Sequence, residues 1–305
     1  MKNIKYILLS AVVLGFTACV EPEDVLEDNG IVTTTTQPLT AGTADFSKFV
    51  SIGASFTAGF TDGALFNASQ QNSFPNIMAE QFAKVGGGSF TQPMMSGNFG
   101  GLALGGTRIA NPRLVFGGTP IPLEAVIGPI TVATDIAINN PTGPFNNMGV
   151  PGAKSFHLLS DTYGNIAGVG SFANPYFVRM ASSPTATMLG DAMAQAPTFF
   201  SLSLIGGNDV LGYATSGGVG VDQTGNLNPA SYGGNDITDP NVFAQAFSTI
   251  ITTLSSGGAK GVVTNIPNIT DLPHFTTVPH NPIPLDAPTA GFLNSVNAYG
   301  AYNAG

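Results

Sequence analysis

The sequence predicts an α/β domain built on a parallel sheet, and three observations carry that prediction. The apolar run Phe49–Ile52 stops at Gly53, as a buried strand does when it reaches a turn. A second run, Thr198 to Ile205, precedes a long stretch with helical periodicity. A third, Gly261 to Ile266, follows that stretch. Strand, helix and strand in this order make a right-handed crossover between parallel strands.

Composition allows such a core and excludes several functions. The chain has 305 residues, 43% hydrophobic and only 9% charged, so it is not a charge-dominated disordered sequence. Gly and Pro account for 39 and 22 residues, which predicts long loops between regular elements. The net charge of −9 comes without any Lys/Arg cluster, which argues against a nucleic-acid partner. One Cys and three dispersed His supply no metal-ligand set, and no cofactor is implied.

At the N-terminus, Lys2 and Lys5 precede an apolar run from Tyr6 to Phe16, too short to cross a bilayer, which ends in Thr17, Ala18 and Cys19. Residues 1–18 resemble a bacterial lipoprotein signal peptide, with Cys19 as the acylated residue and membrane anchor. The alternative is a plain secretory signal with an incidental Cys. Removing residues 1–18 takes away two lysines and no acid, lowering the charge by two from −9 to −11. Residues 19–44, with the acidic Glu21, Glu23, Asp24, Glu27 and Asp28 and a Thr-rich stretch, read as a flexible tether. The acidic part resembles surface-export signals of Gram-negative lipoproteins, so the expected location is the cell envelope, in the outer membrane and exposed at the surface.

The globular part is expected over residues 45–305. Ser55 follows Gly53 on a tight turn, where a hydroxyl can serve as a nucleophile or simply cap a helix. Asp62-Gly63 marks another turn. A helix is predicted from Pro75 to Val85, with Phe74, Ile77, Met78, Phe82 and Val85 on one face and Gly86–Gly88 ending it. Residues 89–145 have paired glycines, several prolines and no sustained period. They read as an insertion of loops and short strands, either a lid or substrate surface or an independent β domain.

Val150-Pro151-Gly152 reads as a type II turn, or as a backbone N–H presented to a cleft, ahead of a helix start at Phe156, Leu158 and Leu159. A helix opening at Ser183-Pro184 and closing at Pro197 is expected to carry Met188, Leu189, Ala192 and Met193. The strand Thr198–Ile205 then ends in Gly206-Gly207-Asn208-Asp209. Asp239-Pro240 caps a helix whose Val242, Phe243, Ala246, Phe247, Ile250, Ile251 and Leu254 keep a 3.6 period up to Gly257-Gly258.

If each of these motifs ends a strand, Ser55, Gly152 and Asn208 would all lie at the carboxyl ends of strands, where ligands sit in parallel sheets. Here the chain resembles the SGNH/GDSL hydrolase family of esterases and lipases, over most of residues 45–305. Gly53-Ala54-Ser55-Phe56-Thr57-Ala58-Gly59 is similar to its first block, Asn147–Gly152 to its second and Gly206-Gly207-Asn208-Asp209 to its third. The resemblance implies a flavodoxin-like three-layer α/β/α fold and ester hydrolysis. Ser55 would be the nucleophile, Gly152 and Asn208 would form the oxyanion hole, and the substrate would be a lipid or an acylated carbohydrate. Ala54 stands where the family has Asp. The family's Asp-x-x-His block after a fifth strand has no counterpart, so the chain is expected to be an N-terminal part of a longer hydrolase without its base and fifth strand.

The only Asp-x-x-His spelling, Asp271 to His274, falls where the family turns after its fourth strand, which makes the pair secondary candidates. His157 and His280 read as surface or packing residues. A different reading is a surface lipoprotein that binds carbohydrate or lipid in the same cleft without catalysis.

Overall fold

The computed structural model describes residues 38–277 and 285–303. The signal segment, Cys19, most of the tether and His280 lie outside the described residues. The chain divides at Thr40, and the unit beginning at Ala41 holds all the elements below. Among the described residues, no helix is long and apolar enough to cross a membrane.

In chain order, the first half comprises β1 (Phe49–Gly53), α1 (Ser55–Ala58), α2 (Asn67–Gln71), α3 (Phe74–Ala83), β2 (Gly100–Leu104), β3 (Thr107–Pro112), β4 (Leu114–Phe116), β5 (Pro120–Pro122), α4 (Glu124–Ile127) and β6 (Asn147–Gly149). The second half continues with α5 (Pro175–Val178), α6 (Met188–Met193), β7 (Phe199–Ser203), α7 (Asn208–Thr215), α8 (Pro240–Ser255), β8 (Lys260–Val263), α9 (Pro273–Thr276), α10 (Ala287–Leu293) and α11 (Gly300–Asn303). Four strands form one parallel sheet in the order β6-β1-β7-β8. Helices flank it, an arrangement compatible with three α/β/α layers.

The alternation of β1 explains how both sheet faces are covered. Val50 and Ile52 point into a core with Met148, Phe200, Leu202, Leu158, Met188, Ile250 and Leu254, which packs α6 and α8 against the sheet. Phe49 and Phe199 point the other way, into a cluster with Ala79, Phe46 and Phe82 that docks α3. Phe46 and Phe82 stack there with centroids 3.9 Å apart. On this second face the buried Ser201 hydroxyl donates to Ser51 Oγ at 2.7 Å, so each of these cross-strand neighbours satisfies the other.

Helix α8 matches its sequence pattern closely. Asp239 accepts from the N–H groups of Asn241 and Val242, Pro240 occupies the first turn, and Val242, Ala246, Ile250 and Leu254 are buried. Helix α3 ends at Ala83 rather than Val85, and Ile77 is exposed rather than on the packed face. The helix expected from Ser183 begins only at Met188. Thr187 caps it by accepting from Gly190 N–H, and Asp191 reaches back to Ser182 N–H, which holds residues 183–186 in a turn. It stops at Met193, before the left-handed Ala196.

Residues 89–145 do form loops and short strands, as two antiparallel hairpins, β2–β3 and β4–β5. They are not an independent β domain. Met95, Leu102 and Ile136 share a core with Ala58, Leu65 and Val178 from outside the insertion. Arg179, fully buried, donates to the carbonyls of Pro93 and Met94 and so fixes the insertion to the segment that follows α5. Burial lowers its pKa to about 10. Strand β8 pairs only with β7 among the described residues, and Val262 and Val263 are exposed, leaving an open parallel edge.

Candidate active site

The pairing of β1 with both neighbours sets the geometry of the site. Gly53 is aligned with Gly149 of β6 on one side and with Ser203 of β7 on the other. Three parallel strands therefore end in one row, about 4.8 Å apart from strand to strand. Ser55 follows two residues after β1, Gly152 three after β6 and Asn208 five after β7. The structure thus brings the three sequence candidates to neighbouring strand ends.

Two glycines let α1 fold back over this row. A Cβ on Gly53 would lie 2.0 Å from Thr57 Oγ1 and 2.9 Å from the Ser203 carbonyl. A Cβ on Gly149 would lie 2.3 Å from the Ala58 nitrogen. Only glycine permits these approaches. The buried Asn147 completes the joint, donating from Nδ2 to the Thr57 carbonyl at 3.0 Å and accepting from Gly149 N–H at 2.9 Å. Ser55 is the first residue of α1 and is half-buried. Among the described residues its hydroxyl makes no hydrogen bond. Phe56 beside it is 59% exposed and stacks on Phe74, giving the site an apolar rim.

The turn at Gly152 is closed by Ala153 N–H donating to the Val150 carbonyl at 3.1 Å, and Gly152 has φ +81°, the third position of a type II turn. The glycine is exposed. Asn208 opens α7 and donates from Nδ2 to the Ala153 carbonyl at 2.8 Å, leaving the second amide hydrogen for another acceptor. Its neighbour Asp209 is buried and takes both the N–H and the hydroxyl of Ser155, at 2.9 and 2.7 Å. Asn208 and Asp209 together bind the loop after β7 to the loop after β6.

The helix expected from Phe156 is a 3₁₀ turn over Ser155–Leu159. Lys154 ahead of it is buried, and its ammonium donates to the Asp236 carbonyl at 2.7 Å and to Gly233 at 3.4 Å. Burial lowers its pKa, opposed by the charges of Asp209 and Asp236. His157 Nδ1 accepts from Lys154 N–H at 3.1 Å, and the ring stacks on Tyr163 at 4.2 Å. Burial, and then the Lys154 charge, lower the imidazole pKa to about 4. At neutral pH its Nε2 therefore carries a proton and its Nδ1 lone pair is occupied, so it has no free site to act as a base.

Asp271 and His274 are both exposed, the first in a 3₁₀ turn and the second in α9, and no hydrogen bond joins them. The structure does not bring them together as a dyad. Sequence reasoning missed Asn147, Ser155 and Asp209. Asp209 stands inside the Gly-x-Asn-Asp motif, so its position was signalled, although its partner 54 residues earlier was not. Compared with known proteins, the chain matches no family model, no curated protein and no solved structure.

Proposed function

We propose that the protein is a serine ester hydrolase of the SGNH/GDSL kind, lipid-anchored in the cell envelope through Cys19, with Ser55 as nucleophile. The observation that carries this reading is the alignment of Gly53 with Gly149 and Ser203, since Ser55, Gly152 and Asn208 then follow the ends of three neighbouring strands. In chain order the sheet runs second, first, third, fourth, which is the order of a flavodoxin-like sheet through its fourth strand. The crevice between β1 and β7 is the switch point of that order, where α/β sheets bind ligands.

Ser55 Oγ would attack the ester carbonyl and lose its proton to a base, forming a tetrahedral oxyanion. The backbone N–H groups of Ser55 and Gly152 and the second amide hydrogen of Asn208 would receive that charge. Each such fixed donor contributes about 3 kcal/mol to the transition state. The alcohol then leaves, and water releases the acyl group.

A second reading, a non-catalytic carbohydrate- or lipid-binding lipoprotein, is favoured by one observation: among the described residues no imidazole or carboxylate hydrogen-bonds Ser55 Oγ. Treating the full chain with a fluorophosphonate, alongside p-nitrophenyl acetate and butyrate hydrolysis, separates the two. Modification of Ser55, and hydrolysis lost in Ser55→Ala, are expected of the enzyme. An unmodified Ser55, with hydrolysis equal to that of Ser55→Ala, would leave the binding protein.

A further inference from the structure

A cavity of about 1000 Å³ is lined by Gly152, the 154–175 segment, the 227–234 loop and α8. That volume is at the upper end of what small-molecule sites occupy, roughly 300–1,000 Å³. We propose that this cavity binds an uncharged saccharide. The assignment rests on the cavity alone and holds whether or not Ser55 is a nucleophile.

Charge is the first argument. Among the described residues no carboxylate side chain lines the cavity, and the Lys154 ammonium is held by the carbonyls of Asp236 and Gly233. His157 is neutral over the physiological range. Asp209 and Asp236 already offset the Lys154 charge, so among the described residues the wall has no uncommitted charge to hold a phosphate, a carboxylate or an ammonium.

The remaining wall combines ring faces with neutral hydrogen-bonding groups. Phe156 lies edge-on to Tyr232 at 5.6 Å, His157 stacks on Tyr163, and Phe172 is 52% exposed. The same wall carries the amide of Gln245, which makes no side-chain hydrogen bond among the described residues, and the hydroxyls of Ser160, Thr162 and Ser231, the first two bonded to each other and the third to Asn226 and Asn228. A purely apolar chain would cover the Gln245 amide and leave it without a partner. A sugar satisfies both sets, laying its C–H face on a ring and its hydroxyls on neutral donors and acceptors. His157 supplies a preset donor. Its Nδ1 is fixed by Lys154 N–H, and its Nε2–H has no partner among the described residues.

The test is saturation-transfer NMR and titration of the full chain, in a detergent without a sugar headgroup. The probes are maltotriose, cellotriose, xylotriose and triacetylchitotriose, with laurate as the apolar probe. At least one trisaccharide is expected to bind. Phe172→Ala and His157→Leu should each weaken it about tenfold, the loss of one stacking or hydrogen-bonding contact. Phe172 is half-exposed, so its variant reports on binding even if His157→Leu fails to fold. The proposal is overturned if no trisaccharide binds, if laurate alone binds, or if Phe172→Ala leaves the affinity unchanged. Fluorophosphonate modification of Ser55 reads separately, so either proposal can fail alone.

Discussion

Asp209 accepts two hydrogen bonds from Ser155, one from the backbone N–H at 2.9 Å and one from the hydroxyl at 2.7 Å, and both residues are buried. The contact spans 54 residues of sequence and joins the loop carrying Asn208 to the loop carrying Gly152. Donors that must meet one developing charge are best held by groups that are themselves fixed.

Asp209→Ala is therefore expected to destabilise the fold by roughly 2–4 kcal/mol, because two buried donors lose their acceptor. Asp209→Asn retains one acceptor oxygen and should lose about half as much. Urea unfolding gives both values through the transition midpoint. A midpoint unchanged in Asp209→Ala would mean that the two loops are held in register by other contacts.

The strand-to-helix joint at Gly53 gives a second prediction. A Cβ at this position would stand 2.0 Å from Thr57 Oγ1 and 2.9 Å from the Ser203 carbonyl, so Gly53→Ala should cost about 3 kcal/mol, the upper part of the overpacking range. Thr57→Val should behave oppositely. Thr57 Oγ1 is buried without a hydrogen-bond partner, so a methyl of the same shape removes an unsatisfied group, and stability should hold within about 0.5 kcal/mol or rise. Thermal melting of the two variants checks the pair. A large loss in Thr57→Val would show that its hydroxyl does find a partner.

The contrast between these residues shows what could be read from the sequence. Gly53, β1, β7 and α8 were legible because their signals are local: an apolar run stopped by glycine, and a 3.6 period between Asp-Pro and Gly-Gly. Strand β6 has only three residues, and Asn147 and Gly149 lack strand character. Its place beside β1 comes instead from Asn147 bonding to Thr57 and from Gly149 lying under Ala58. The β2–β3 hairpin did carry a usable signal. Gly105 and Gly106 stand between the two strands with φ +57° and +82°, as a type I′ turn requires. The Asp209–Ser155 pair had no local signal, since a loop aspartate ordinarily faces water and its partner lies far along the chain.

His157 gives a pH prediction whose sign follows from its environment. Its folded pKa is lowered to about 4 from an ordinary 6.5, through burial first and the Lys154 charge second. Between those values the unfolded chain binds a proton at this site and the folded chain does not. The contribution is thus fully present above about pH 6.5, declines as pH falls and levels off below about pH 4. The full span is roughly 3 kcal/mol. Tyr163, stacked on the ring, has its pKa pushed further up by burial and stays neutral throughout, so Lys154 is the charge that the imidazole meets. His157→Asn keeps an acceptor for Lys154 N–H but cannot titrate, so its stability should fall less steeply over this interval. Urea unfolding of parent and variant at several pH values from 4 to 7 isolates the difference, because every carboxylate and the other two histidines are common to both. Parallel stability curves would mean that the folded imidazole protonates as freely as the unfolded one, and that the ring is open to water rather than enclosed by Lys154 and Tyr163.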